Sequence, residues 1–149
     1  IDTFRKNKLR RNLFSYLKKQ GISCITATHD SDEALSFSDR LLILKEGAIT
    51  SYGRPEVIYS NSSSVYEAGF FGEVTVVPAG IFSSEEMVLL PHQLKFSEEK
   101  TKLSVLVAKS YFKGSHYLIV AKLDDLEIYF NHSFGLKENQ HIYLERNSI

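Results

Sequence analysis

Apolar residues recur at helical spacing along the first twenty positions, and basic side chains occupy the opposite face. This pattern predicts an amphipathic helix that ends near Gln20, with Gly21 as the residue that terminates it. The basic face is expected to be solvated, and a docking surface for acidic groups is the alternative. The predicted apolar face consists of Phe4, Leu9, Leu13 and Leu17.

The next stretch predicts a strand that runs directly into a second helix. Apolar and β-branched residues at 22 and 24–27 are typical of a strand covered on both faces, which would bury Cys24. Asp30 and Glu33 have the spacing of a capping box, so a helix is expected over 31–38. His29 then lies where a strand ends and a helix begins, the usual ligand position in an open α/β sheet. A structural histidine fits the local pattern equally well.

A hairpin and two short helices are predicted next. Residues 41–53 contain two strand patterns around Lys45-Glu46-Gly47, where Gly47 supplies the positive φ of a tight turn. Pro55 suits the first turn of a short helix. The polar run 61–64 can cap a further helix that ends near Phe71.

Short β-rich runs separated by turn residues begin after Gly72. Closely spaced strands without a long helix predict a small all-β barrel or sandwich. We therefore expect a domain boundary near Gly72–Val74, with an α/β segment over 1–72 and an all-β domain over 73–149. The predicted strands are Val74–Pro78, Met87–Leu90, Leu103–Phe112, Tyr117–Leu123, Leu126–Phe130 and His141–Leu144.

Charge and cysteine content exclude some classes of protein. Lysine plus arginine and aspartate plus glutamate each total 18 of 149 residues, which argues against binding that depends on neutralising nucleic-acid phosphates. The single cysteine excludes an intrachain disulfide. No signal-peptide pattern and no apolar run of about 18–20 residues is present, so the cytoplasm is the expected compartment.

Common catalytic patterns are missing. The histidines and Cys24 lack zinc-site spacing, so no metal site is predicted, and neither a G-x-S-x-G elbow nor a G-x-x-x-x-G-K-[ST] phosphate loop occurs. Aromatic residues are frequent after Gly72. Core packing is the preferred interpretation, and stacking on single-stranded bases is the alternative. These residues are Tyr111, Phe112, Tyr117, Tyr129, Phe130, Phe134 and Tyr143.

Several ordered motifs together resemble the carboxyl-terminal half of an ABC transporter nucleotide-binding subunit with a TOBE domain. Thr28-His29-Asp30 followed by Glu33-Ala34 is similar to the switch motif T-H-D-x-x-E-A, and Ile1-Asp2 resembles the end of the D-loop. The ferric iron and polyamine importers are the most similar class. Further matches are Ser38-Asp39-Arg40, Glu46-Gly47-Ala48-Ile49, Gly53-x-Pro55-x-x-Ile58-Tyr59, Ala68-Gly69-Phe70-Phe71-Gly72 and Leu90-Pro91-His92-Gln93-Leu94. The last of these is similar to the family's R-P-x-x-L element, but it has leucine in place of the arginine.

The resemblance implies a fold, a reaction and a set of roles. The fold would be an incomplete P-loop ATPase-type α/β segment followed by an OB-like TOBE barrel. His29 would contact the γ-phosphate of ATP, and Asp2, Thr28 and Asp30 would lie at the nucleotide and dimer interface. The complete subunit would use ATP and Mg²⁺. It would pair with a second such subunit and with membrane permease subunits, and would work indirectly with a solute-binding protein. The subunit would lie on the cytoplasmic face of the inner membrane.

The family's Walker A loop, signature motif and Walker B groups precede the D-loop, and this sequence contains none of them. We therefore expect the 149-residue chain alone neither to bind ATP tightly nor to hydrolyse it, and we expect these motifs upstream of Ile1. Two alternatives of other classes remain: a standalone module that binds small oxyanions, and a nucleic-acid-binding barrel.

Overall fold

A computed structural model describes residues 2–147. Its internal contacts divide the chain after Ser60 into two compact units, which are described separately below as the first unit and the β unit. Residues 61–72 group with the β unit in this division. The domain boundary near Gly72 stays a prediction.

The first unit contains three helices and one antiparallel hairpin. Gly21, at φ 66°, ends the first helix as predicted, because the N–H of Gly21 donates to Lys18 O at 3.2 Å and that of Ile22 to Leu17 O at 2.9 Å. These two bonds form a Schellman motif, which satisfies carbonyls at the helix end. The elements are α1 (Asp2–Lys19), α2 (Ser31–Phe37), β1 (Leu41–Lys45), β2 (Ala48–Gly53) and α3 (Pro55–Ser60).

The hairpin confirms the turn predicted from sequence. Leu41 pairs with Gly53 and Lys45 pairs with Ala48, so a two-residue turn connects the strands. Glu46 and Gly47 both have positive φ, 50° and 79°, as a type I′ turn requires. The predicted short helix that begins at Pro55 also forms, as α3.

The strand predicted over 22–27 is absent, which corrects the sequence analysis. Residues 22–28 have no regular secondary structure, and 22–27 are exposed. Cys24, predicted to be buried, is exposed, and Ile25 has a relative exposure of 101%. A strand buried on both faces needs neighbouring strands to pair with its backbone. No strand in residues 2–147 pairs with this segment, so it does not form a strand despite its apolar and β-branched residues.

The face of α1 that packs within the first unit also differs from the predicted one. Phe4, Leu9 and Leu13 are exposed, whereas Phe14 is half-buried and stacks on Phe37 of α2 with ring centroids 5.3 Å apart. The residues of α1 that pack have helical i, i+3, i+4 spacing, and they form the side that contacts α2. This side is not the most apolar side of the helix. Its half-buried members are Asn7, Arg10, Phe14 and Leu17.

The β unit begins with a capped helix and continues as strands. Ser64 caps the helix by accepting a hydrogen bond from the N–H of Glu67 at 3.2 Å, as the polar run predicted. The sequence analysis did not predict the strand β5, which has only four residues and directly follows a 3₁₀ helix that begins with a proline. The elements are α4 (Val65–Phe71), β3 (Thr75–Val77), β4 (Met87–Leu89), a 3₁₀ helix (Pro91–Gln93), β5 (Leu94–Ser97), β6 (Leu103–Phe112), β7 (Tyr117–Leu123), β8 (Leu126–His132) and β9 (His141–Arg146).

Five strands of the β unit form one antiparallel sheet in the order β5-β9-β6-β7-β8. The sheet curls so that its two outer strands approach each other. This is seen from Phe96 on β5 and His132 on β8, whose rings meet edge to face with centroids 5.7 Å apart. This curled half-barrel agrees with the predicted β-barrel domain. Its hydrophobic core consists of Val77, Leu89, Leu94, Leu103, Val105, Val107, Ile119, Ala121, Ile128, Phe130, Ile142 and Leu144.

Thr75 joins β3 to the outer edge of β8. Its fully buried hydroxyl accepts a hydrogen bond from the N–H of Tyr129 at 2.8 Å and donates to the carbonyl of the same residue at 3.3 Å. One side chain therefore satisfies both polar groups of an edge residue that a neighbouring strand would otherwise pair.

We expect Thr75→Val to lower the free energy of unfolding by about 1–3 kcal/mol, because valine has a similar shape but leaves the amide and carbonyl of Tyr129 without their partner. Thr75→Ser, which keeps the hydroxyl, should lose less. Urea titration followed by circular dichroism measures both. Equal stability of the valine variant and the wild-type chain would contradict this account of the edge.

None of the helices in the described part of the chain has the apolar span that a bilayer crossing requires.

Candidate functional site: the loop around His29

The loop Thr28–Asp30 enters α2, and its backbone is fixed by Asp30. This residue adopts an extended conformation (φ −94°, ψ 109°), and its Oδ1 accepts a hydrogen bond from the N–H of Glu33 at 3.1 Å. The N–H of Asp30 in turn donates to Thr28 Oγ1 at 3.1 Å. One side chain-to-backbone hydrogen bond therefore spans His29, and a second holds the turn that follows it.

Glu33 departs from the capping box in a way that sequence alone did not indicate. Its Oε2 accepts a hydrogen bond from Thr28 Oγ1 at 2.6 Å and forms an ion pair with Arg10 Nη2 at 3.0 Å. Arg10 also lies 3.9 Å from Asp30 Oδ2. The side chains of Arg10 and Glu33 are only 21% and 11% exposed, so this pair is shielded from water more than a surface ion pair is.

Two carboxyl groups of the first unit, those of Asp30 and Asp39, have pKa values below the usual range of aspartate. The hydrogen bond from the N–H of Glu33 lowers the pKa of Asp30, and Arg10 and Lys6 lower it further, while partial desolvation opposes them. The Lys18 ammonium, which lies 2.5 Å from Asp39, lowers the pKa of that carboxyl through a hydrogen bond and its charge. Asp30 thus caps α2 as an anion at neutral pH.

His29 itself is exposed, and its imidazole makes no hydrogen bond or ion pair with the rest of residues 2–147. The side chains on either side of it are engaged within the first unit. An imidazole can donate or accept one hydrogen bond at each nitrogen and is charged or neutral near pH 7. The loop therefore exposes one imidazole, which can donate or accept a hydrogen bond, on a backbone that hydrogen bonds hold in place.

Asp2 is not brought to this loop. It is exposed in the first turn of α1, about 12 Å along the helix axis from Arg10, at 1.5 Å per residue. Ile1, the other residue of the predicted D-loop end, lies outside the described residues. The structure brings together Thr28, His29 and Asp30.

Arg10 and Glu33 are the members of this site whose contacts sequence reasoning missed. The only signal was position: Arg10 precedes Phe14 by four residues, so both lie on the face of α1 that packs against α2. A basic residue on a packed helix face indicates a partner, but α1 was expected to pack along a different stripe.

The seven aromatic residues singled out in the β unit divide into three groups by exposure. Core packing is confirmed for Phe130, which is fully buried, and is wrong for Tyr111, Phe112 and Phe134, which are 51–68% exposed. Tyr117, Tyr129 and Tyr143 are half-buried. The β unit carries more acidic than basic side chains, which opposes the nucleic-acid alternative. Within residues 2–147, no group of three His, Cys, Asp or Glu side chains could hold a metal ion.

Comparison with curated proteins relates the chain to one functional class. The Fe(3+) ions import ATP-binding protein FbpC of Brucella abortus is 34% identical over 85 residues, which cover 57% of this chain and 24% of the relative. The spermidine/putrescine import ATP-binding protein PotA of Clostridium novyi is 31% identical over 147 residues, covering 80% of this chain and 42% of the relative. The chain is a relative of ABC importer ATP-binding subunits.

A further PotA, from Spiroplasma citri, is 23% identical over 172 residues and covers 99% of this chain and 49% of its own length. The resemblance predicted from the ordered motifs is thereby confirmed. The matches span between about a quarter and a half of the length of these ATP-binding subunits. No model of a known protein family matches the chain.

Proposed function

We propose that this chain is part of the ATP-binding subunit of an ABC importer, which couples ATP hydrolysis to transport across a membrane. The observation that carries the proposal is the similarity to import ATP-binding proteins, which extends in one relative over 99% of the chain. Residues 1–72 correspond in this proposal to the carboxyl-terminal part of the P-loop ATPase domain, and residues 73–149 to an OB-like TOBE domain.

His29 is proposed as the switch residue. Its exposed imidazole would form a hydrogen bond to the γ-phosphate of ATP and help to orient the attacking water, because phosphoryl transfer depends on positioning and charge stabilisation. Thr28 and Asp30 would hold that imidazole at the nucleotide and dimer interface. Their contacts with Glu33 support this role, since they fix the loop without engaging His29.

Mg²⁺ accompanies ATP in this proposal, and no group of three His, Cys, Asp or Glu side chains within residues 2–147 could hold it. The sequence also has no Walker A loop. No step assigned to His29 depends on the metal, and the nucleotide cradle would come from residues outside this sequence.

The proposed partners are a second ATP-binding subunit, the membrane permease subunits and, indirectly, a solute-binding protein. Asp2 would lie at the interface with the second subunit. The subunit would act at the cytoplasmic face of the membrane, attached through the permease. The proposal names no cargo, because the names of the relatives divide between Fe(3+) and spermidine/putrescine.

The test compares this chain with a complete subunit that also contains its upstream coding sequence. We expect the complete subunit to release phosphate from ATP with Mg²⁺ and to lose this activity in EDTA, and we expect the purified 149-residue chain to release none. Phosphate release measured over time decides both points. Hydrolysis by the chain alone, or upstream sequence without a Walker A loop, would contradict the proposal.

A further inference from the structure

Arg10 differs from the other basic residues of α1. It is half-buried on the face that packs against α2, whereas Arg5, Lys6 and Arg11 are exposed. Its guanidinium lies 3.0 Å from Glu33 and 3.9 Å from Asp30, so one cation lies beside two carboxylates, one in the first turn of α2 and one at its cap. A planar guanidinium holds such a geometry better than a flexible ammonium does.

The contacts form a chain of bonds around His29. Arg10 binds the Oε2 atom of Glu33, and that same oxygen accepts the hydroxyl proton of Thr28. The Thr28 oxygen accepts the N–H of Asp30, and Asp30 closes the chain by accepting the N–H of Glu33. His29 is the one residue between Thr28 and Asp30, so these bonds constrain the backbone that carries its side chain.

We propose that Arg10 is a positioning residue, which sets the orientation of His29 through Glu33 and Thr28. The inference rests on the proposed function of His29. Arg10 does not touch the imidazole, and it acts on the backbone that carries it.

Loss of the guanidinium has a direct electrostatic consequence. Glu33, only 11% exposed, would then lie beside Asp30 without a cation between them. A shielded carboxylate without a partner draws in water or moves outward, and either change pulls the hydroxyl of Thr28 with it. The loop would then populate several orientations of His29, and only one of them reaches the γ-phosphate.

The chain offers a matched control on the same helix. Lys18 Nζ lies 2.5 Å from Asp39 Oδ1, so it also bridges α1 to a carboxylate near α2, but the two side chains are 74% and 77% exposed. This pair touches none of residues 28–33. Lys18→Gln therefore removes one ion pair from α1 without altering the bonds around His29.

The experiment measures ATP turnover of the complete subunit carrying Arg10→Gln, Arg10→Lys or Lys18→Gln. We expect Arg10→Gln to lower kcat about tenfold with KM for ATP changed less than about twofold, and Arg10→Lys to recover part of the loss. A tenfold change corresponds to about 1.4 kcal/mol of transition-state stabilisation. Lys18→Gln should retain wild-type kcat. Wild-type kcat in Arg10→Gln would overturn the inference.

A second arm tests whether Arg10 acts through His29. Single-turnover hydrolysis is compared for His29→Ala with and without Arg10→Gln. If Arg10 only positions His29, its substitution changes the rate less than about twofold once the imidazole is gone. A further tenfold loss in that background would overturn the inference. Wild-type activity in His29→Ala alone would instead refute the proposed function, so the two failures are distinguishable.

Amide hydrogen exchange of the 149-residue chain gives a measurement that needs no nucleotide. Arg10→Gln should accelerate exchange of the Asp30 N–H, which donates to Thr28, at least about fivefold relative to amides in the middle of α1. Lys18→Gln should leave this ratio unchanged. An unchanged ratio in Arg10→Gln would overturn the inference, as would equal acceleration of all amides, which indicates general loss of stability.

Discussion

Replacing His29 by alanine in the complete subunit is expected to lower ATP turnover by about a hundredfold or more while leaving the fold intact. Removing one preorganised hydrogen-bond donor aimed at the charge that develops in the transition state costs roughly 10²–10³ in rate. The fold should persist, because His29 is exposed and makes no hydrogen bond or ion pair within residues 2–147. Phosphate release at saturating ATP measures turnover, and thermal denaturation measures the fold.

An exposed histidine of the β unit provides the control for this substitution. His141 lies at the start of β9 and is exposed, so His141→Ala removes an imidazole that is not part of the loop around His29. Its turnover should equal that of the wild type. If His29→Ala stays within a few-fold of the wild type, the switch role assigned to this residue is wrong.

The second large effect concerns the core of the β unit. We expect Phe130→Ala to lower the free energy of unfolding by about 3–5 kcal/mol, because the change removes a fully buried ring from β8 and leaves a cavity. A loss of this size is a large part of the stability of a small domain, which is typically about 5–15 kcal/mol. Urea unfolding of the 149-residue chain, followed by circular dichroism, measures the change.

Phe112→Ala is the matched control for the core substitution. Phe112 ends β6 and is 68% exposed, and its ring packs against Tyr117 with centroids 5.2 Å apart. Its replacement should cost about 0.5–1.5 kcal/mol, the range for an aromatic pair. Equal losses for the two variants would show that the exposed aromatic residues are as important to the fold as the buried one.

Local signals predicted the elements that depend on local bonds. The hairpin turn at Glu46-Gly47, the end of α1 at Gly21 and the cap of α4 at Ser64 formed where the sequence analysis expected them. Each rests on positive φ or on a hydrogen bond within a few residues, so the amino acids themselves specify it. The long strands β6 and β7 were also predicted from local signals, β7 from its run of β-branched and aromatic residues, Tyr117–Ala121.

The candidate site was predicted in part. The motif around His29 indicated the loop, and the spacing of Asp30 and Glu33 indicated the cap of α2. The partner of Glu33 was not predicted, since Arg10 is 23 residues away in the sequence and reaches Glu33 only after α1 and α2 pack. Which face of α1 packs depends on the surfaces available to it, and periodicity alone chose the more apolar stripe.

The sequence by itself therefore determined the turns, the caps and the β-rich runs of the long strands, and its ordered motifs together indicated the resemblance to ABC importer ATP-binding subunits. Only the tertiary structure decided that residues 22–27 remain without a strand partner, that β5 and β8 approach each other as the sheet curls, and that Arg10 holds the loop of His29 through Glu33. The physical reason is the range of the interactions: caps and turns are satisfied within a few residues, whereas strand pairing and shielded ion pairs need groups that distant segments supply.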